Sequence, residues 1–150
     1  MAADARRELN ATGLELLAQA AWWSGRLDVS LDARERAYSQ AVKAKDSTTA
    51  VVAAIGLGRD NLLRMNTTVA AAWLNRADRL LEGVPENLGH GWLAGSRAFL
   101  HALGGDNDAS LAQATTAHEI AVRIGDRDLE IFALGAKASA LMARGDVKEG

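Results

Sequence analysis

Apolar residues recur along the chain at three- and four-residue spacing, in runs separated by short breaks rich in glycine, asparagine and aspartate. Leu14, Leu17, Ala18, Ala21 and Trp22 keep this spacing before Gly25, and Leu27, Leu31, Arg34, Ala37 and Ala41 resume it afterwards. One apolar stripe of this period is the signature of an amphipathic helix. Carried along the chain, it predicts helices over 5–24, 28–44, 47–64, 67–83, 87–104, 108–125 and 127–144. Strand-like runs of β-branched residues are missing, and the single proline, Pro85, stands in the break Gly83-Val84-Pro85-Glu86, where it cannot continue one helix but can start the next. The expected class is all-α.

The breaks themselves repeat. Gly25-Arg26-Leu27-Asp28 returns as Gly105-Asp106-Asn107-Asp108 and as Gly145-Asp146-Val147, with Met65-Asn66-Thr67-Thr68 in the remaining slot, so the step is a constant forty. Other columns keep the same ruler: Ala18, Gly58, Ala98 and Ala138; Ser30, Ala70, Ser110 and Gly150; Ala37, Ala77 and Ala117; acidic Asp46, Glu86 and Asp126. A fixed period of this length marks a helical repeat. Each unit reads as helix A, a tight turn, helix B and a second turn, over 5–44, 47–83, 87–125 and a truncated 127–150, within one domain. Glycine suits the A-to-B turn because it takes positive φ without penalty. Asn66 is expected to replace it beside Met65, and Asp28, Thr67 and Asp108 to cap the B helices.

Ala18, Gly25, Ser30 and Ala37, matched by Ala98, Gly105, Ser110 and Ala117, place a small residue late in helix A, a glycine at the turn and two small residues in helix B. That arrangement resembles the tetratricopeptide repeat, TPR, whose common form has about 34 residues, so the helices here are longer. Trp73-Leu74-Asn75-Arg76-Ala77 followed by Leu80-Leu81-Glu82, and Ile124-Gly125-Asp126-Arg127-Asp128-Leu129, are similar to runs in the helical region of LuxR-type and cyclase-linked bacterial transcriptional regulators. The resemblance implies a TPR-like solenoid: a right-handed superhelix of antiparallel helix pairs, about seven helices in all. It also implies a concave groove lined by the A helices, which would collect Glu15, Gln19, Trp22, Trp23, Ile55, Arg59, Leu62, Trp92 and Phe99.

Composition narrows the partners. Seventeen basic against nineteen acidic residues leave a net charge of -2, without the basic surplus that nucleic-acid backbones require. No cysteine is present, so disulfides and thiolate metal sites are excluded. Met1 to Glu8 has no apolar leader, and no later run approaches the roughly 18 apolar residues of a membrane span. A cytoplasmic setting is the expectation.

Candidate chemistry is sparse. His90, His101 and His118 lack a second ligand at helical spacing, so neither a metal site nor a catalytic pair is expected. Gly56-Leu57-Gly58 lies inside a helix, where it reads as a close helix contact and not as a phosphate loop, and Ser96 has no nucleophile-elbow context. The mixed runs Asp32-Ala33-Arg34-Glu35-Arg36 and Arg76-Ala77-Asp78-Arg79 read as solvated outer faces. Trp22, Trp73 and Trp92 admit two readings, as groove anchors or as core filler.

The expectation is therefore a non-catalytic module without cofactor. Its groove would take a protein or peptide partner, or another domain of the same regulator. Arg97 and Lys137 occupy positions where the pattern calls for large apolar residues, which predicts shifted or open packing in the last units. Helix 127–144 carries apolar residues on more than one side where a solenoid end needs a polar cap, so either the array continues or a second copy covers this face. The alternative function is thus homodimerisation through Leu129, Phe132, Leu141 and Met142.

Overall fold

The computed structural model describes residues 10–145. Among them lie seven helices and no strand: α1 Ala11–Trp23, α2 Leu27–Lys43, α3 Ser47–Leu63, α4 Thr67–Leu81, α5 Leu88–Leu103, α6 Asn107–Ile124 and α7 Arg127–Arg144. The start expected at residue 5 and the segment after Gly145 fall outside the described residues.

Each helix packs on its neighbours in sequence, and the A helices α1, α3, α5 and α7 also touch one another in succession. The B helices α2, α4 and α6 make no contact of comparable extent with each other. The A helices therefore form the inner, crowded side of the stack. The close approach of successive helices follows from the small columns. Ala18 and Ala98 on the A helices, and Ala37, Ala77 and Ala117 on the B helices, have no exposed surface, and Ser30, Ala70 and Ser110 are buried beside them. Gly58 is tighter still, since a Cβ there would lie 2.6 Å from Leu74 Cδ2. Small side chains bring backbones together, and the larger Leu14, Leu57, Leu74 and Leu129 fill what remains.

One turn geometry serves nearly every corner. The amide N–H groups of Arg26, Asp46, Asn66, Asp106 and Asp126 donate to the carbonyls of Ala21, Ala41, Asn61, His101 and Ala121. In each case the residue just before the donor has positive φ. This closure satisfies carbonyls left over at a helix end. Gly25, Gly105 and Gly125 supply it readily, but Lys45 (φ 56°) and Met65 (φ 59°) adopt it as non-glycine residues. Met65 itself is left-handed while Asn66 has φ -93°, the reverse of the sequence expectation. The repeat imposes the turn on whatever residue occupies the slot.

The expected caps also move. Asp28, Thr67 and Asp108 lie inside their helices, and Arg26 and Asn66, which precede α2 and α4, make no side-chain cap. Asp46, Asp106 and Asp126 accept from the N–H groups of Thr49, Ala109 and Leu129. Before α5, Asn87 and His90 form a reciprocal capping box. Arg97 does not open the packing: its guanidinium reaches Asp78 at 3.2 Å and Asn75 at 3.3 Å, joining α5 to α4. Lys137 is half-buried.

A left-handed backbone costs an ordinary L-residue roughly 1–2 kcal/mol, part of which glycine returns through its freer unfolded chain. Met65→Gly, at an exposed position, should raise unfolding stability by about 1 kcal/mol in urea titration. An unchanged or lower midpoint would show that the turn holds no such strain.

Candidate functional site

The A helices face a concavity of two adjoining lobes, of about 610 and 740 Å3, that share Gln19, Arg34, Arg59 and Trp92. All nine residues assigned to the groove from sequence line it. Their convergence follows from the period. Gln19, Arg59 and Phe99 are one period apart and occupy equivalent positions on α1, α3 and α5, and Trp92 and Phe132 are equivalent on α5 and α7.

The first lobe is walled by Val51, Val52, Ile55, Leu81 and Leu88, with Glu15 lining it from α1. The second is aromatic. Trp92 and Phe132 have centroids 5.0 Å apart, Phe99 and Phe132 5.3 Å, and Trp22 meets Trp23 edge to face at 4.8 Å. Trp23, Leu63, Met65 and Leu103 line this lobe with exposed surface, Trp23 being 81% exposed. Large apolar side chains do not remain in water together without consequence.

Between the lobes lies a charged cluster. Arg34 Nε donates to Glu15 Oε1 at 3.1 Å, and Arg34 Nη1 lies 3.2 Å from the Gly56 carbonyl oxygen and 2.8 Å from Asp60 Oδ1. Asp60 Oδ1 is held by charge without an aligned hydrogen bond, while Oδ2 accepts from Ser30 at 2.9 Å. Glu15 Oε2 is buried and has no hydrogen-bond partner among the described residues. Burial raises the Glu15 pKa above its ordinary value, and the Arg34 charge opposes that rise without cancelling it. Arg59 Cζ lies 5.1 Å from the Trp92 ring centroid and 5.3 Å from that of Phe132. Burial, reinforced by the nearby Arg34 charge, lowers the Arg59 pKa.

Several assignments from sequence need correction. Arg34 is no solvated outer-face residue but a buried ion-pair partner, and Asp60, also buried, was not anticipated. Of the residues assigned to self-association, Leu129 and Leu141 are buried within the chain and Phe132 belongs to the groove, leaving Met142 exposed. The apolar residues that α7 does expose are Ile131, Leu134 and Met142. Phe132 could have been placed by its position one period after Trp92. Trp73 packs partly buried against the core and meets Tyr38 edge to face at 5.0 Å, whereas Trp92 both packs on the core and lines the groove.

No family model and no curated protein matches the chain. Among the described residues no group of side chains is arranged to hold a metal ion, and no helix is long and apolar enough to cross a membrane. His90 serves the capping box, and His118 lies 3.9 Å from Glu130.

The raised Glu15 pKa makes stability pH-dependent with a definite sign. The folded state holds this proton more tightly than the unfolded one, whose carboxyl titrates near 4.5. The contribution is therefore complete below that value and is lost as pH rises through the folded pKa. Glu15→Gln, which cannot ionise, should show a flatter decline of stability with pH than the parent over this window. Parallel urea-midpoint profiles for the two chains would refute the assignment.

Proposed function

We propose that this chain is a non-catalytic TPR-like binding module whose A-helix groove takes a protein or peptide partner, or another domain of the same bacterial regulator. One observation carries the reading. A concave surface continuous across all the A helices combines exposed aromatic and aliphatic side chains with an arginine that lies against two contacting aromatic rings. Interface anchors are drawn mainly from tryptophan, tyrosine and arginine. The regulatory setting, and with it a cytoplasmic location, rests on the runs Trp73 to Glu82 and Ile124 to Leu129. Occupancy would act by changing how successive units stack, and so how an attached domain is presented. The absence of a basic surplus argues that nucleic acid is contacted, if at all, by another part of the regulator.

Trp23→Ala and Arg59→Ala test the groove directly, Trp23 being largely exposed, so that its loss should leave the fold intact. A partner recovered with the parent chain should bind each variant about thirtyfold more weakly in titration, the loss of a central anchor worth roughly 2 kcal/mol. Undiminished affinity in both variants would place the partner on another surface.

A second reading, homodimerisation through α7, is favoured by the exposed apolar stripe Ile131, Leu134 and Met142. Light scattering should then give a dimer that Leu134→Glu converts to monomer. A parent chain monomeric at high micromolar concentration would eliminate it.

A further inference from the structure

The repeat prescribes how each A helix is covered by the B helix that follows it, and α7 is left without that cover among the described residues. Three buried junctions of one design run along the stack. Leu14, Ala37 and Ala53 meet in the first, Ala54, Ala77 and Leu93 in the second, and Ala94, Ala117 and Ala133 in the third. Each joins an A helix, its own B helix and the next A helix, and all three corners advance by one period. None of these trios holds more than one leucine, and the B-helix corner is alanine every time.

Leu134, one period after Ala94, is the first corner of a fourth junction. Leu14 and Ala54 have no exposed surface and Ala94 has 6%, but Leu134 is 44% exposed. Ile131, Gly135 and Ala138 share its face at helical spacing. Ile131 is exposed, whereas its counterparts Val51 and Gly91 are buried. A Cβ on Gly135 would meet nothing, whereas one on its counterpart Gly95 would lie 3.8 Å from the Cβ of Ala117 on the B helix. This face lies apart from the groove, which α7 enters through Asp128 and Phe132.

The absent B-helix corner has defined chemistry. Leu134 is already the one large member that such a junction admits, so a helix laid against it must offer a small side chain there. A second small residue stands seven positions earlier, as in Ser30 and Ala37, Ala70 and Ala77, Ser110 and Ala117. At that earlier position Ser110 Oγ donates to the Ala98 carbonyl at 2.8 Å, and Ala138 lies one period beyond Ala98. A second copy of the chain offers no such helix: the small faces of its B helices are already buried, and its own α7 would set Ile131 and Leu134 against their equals.

We propose that this outer face of α7 is a seat for a helix of a partner protein, one with two small residues seven apart on its apolar side, docked where a B helix would lie. The seat is separate from the groove, so neither reading depends on the other. It competes with self-association for the same face.

Fluorescein-labelled peptides with the sequences of α4 and α6 serve as probes, titrated with the intact chain and followed by anisotropy. At least one should bind. Ala77→Leu or Ala117→Leu in the peptide, and Gly135→Met in the chain, should each weaken binding about tenfold or more, because a fitted contact does not tolerate overpacking. Each of these changes adds apolar surface, so a merely adhesive face would hold the peptide as tightly or more tightly, and that result would overturn the seat. Gly135 faces open space in the free chain, so Gly135→Met should not lower its melting temperature. Binding of neither peptide, or binding indifferent to Gly135→Met, would overturn the proposal as well. So would a chain that light scattering finds dimeric until Leu134→Glu separates it, since the occupant would then be a second copy.

Discussion

Arg34 is the residue on which the arrangement of the first three helices depends. It rises from α2, pairs with Glu15 on α1 and with Asp60 on α3, and contacts the Gly56 carbonyl. Gly56 makes room for it: a Cβ there would lie 2.7 Å from Arg34 Nε and would force the guanidinium to shift. Three charges out of water are a poor source of stability, since desolvation offsets most of their attraction. What they supply is position. A buried guanidinium with fixed partners allows one placement of α1 against α3, and the lobe between those helices, with Gln19 and Arg59 in its wall, takes its shape from that placement.

The charged cluster is also where the repeat departs from its own pattern. Arg34 stands in the column that holds Leu74 and Ala114 in later units. Glu15 shares its column with Ile55 and Gly95, and Asp60 shares its column with Ala20 and Leu100. In three columns an ionisable residue replaces an apolar or small one, and the three replacements meet at the same point in space. Sequences that are locally consistent with their fold depart from it mainly at functional sites. Within the repeat, the departures are more informative than the matches.

The helices, their order and the groove-lining set were legible because each depends on a period, and periods survive without knowledge of packing. The A-helix residues found in the groove follow from stepping along the chain by one period at a time. Arg34 was not legible in this way, since its partners lie on the helices before and after its own and a mixed-charge run reads as a solvated face. The left-handed Met65 was hidden by intrinsic preference: asparagine tolerates positive φ better than methionine, but the hydrogen bond from Asn66 to the Asn61 carbonyl fixes which residue must adopt it. Leu129 and Leu141 were misread because helical spacing identifies apolar faces without saying which of two faces the neighbouring helices already cover.

The left-handed corners at Gly25, Lys45, Met65, Gly105 and Gly125 all fall on a ruler half as long as the period of the side-chain columns. Outside the Pro85 break, where Gly83 takes the positive φ instead, the backbone makes no distinction between an A-to-B corner and a B-to-A corner; only the side chains do. A single helix and its corner form a complete mechanical unit, yet inserting one would reverse the direction of every helix beyond it and carry inner faces to the outside. A lineage of such chains can change length without losing its inner surface only by adding or deleting helices in twos.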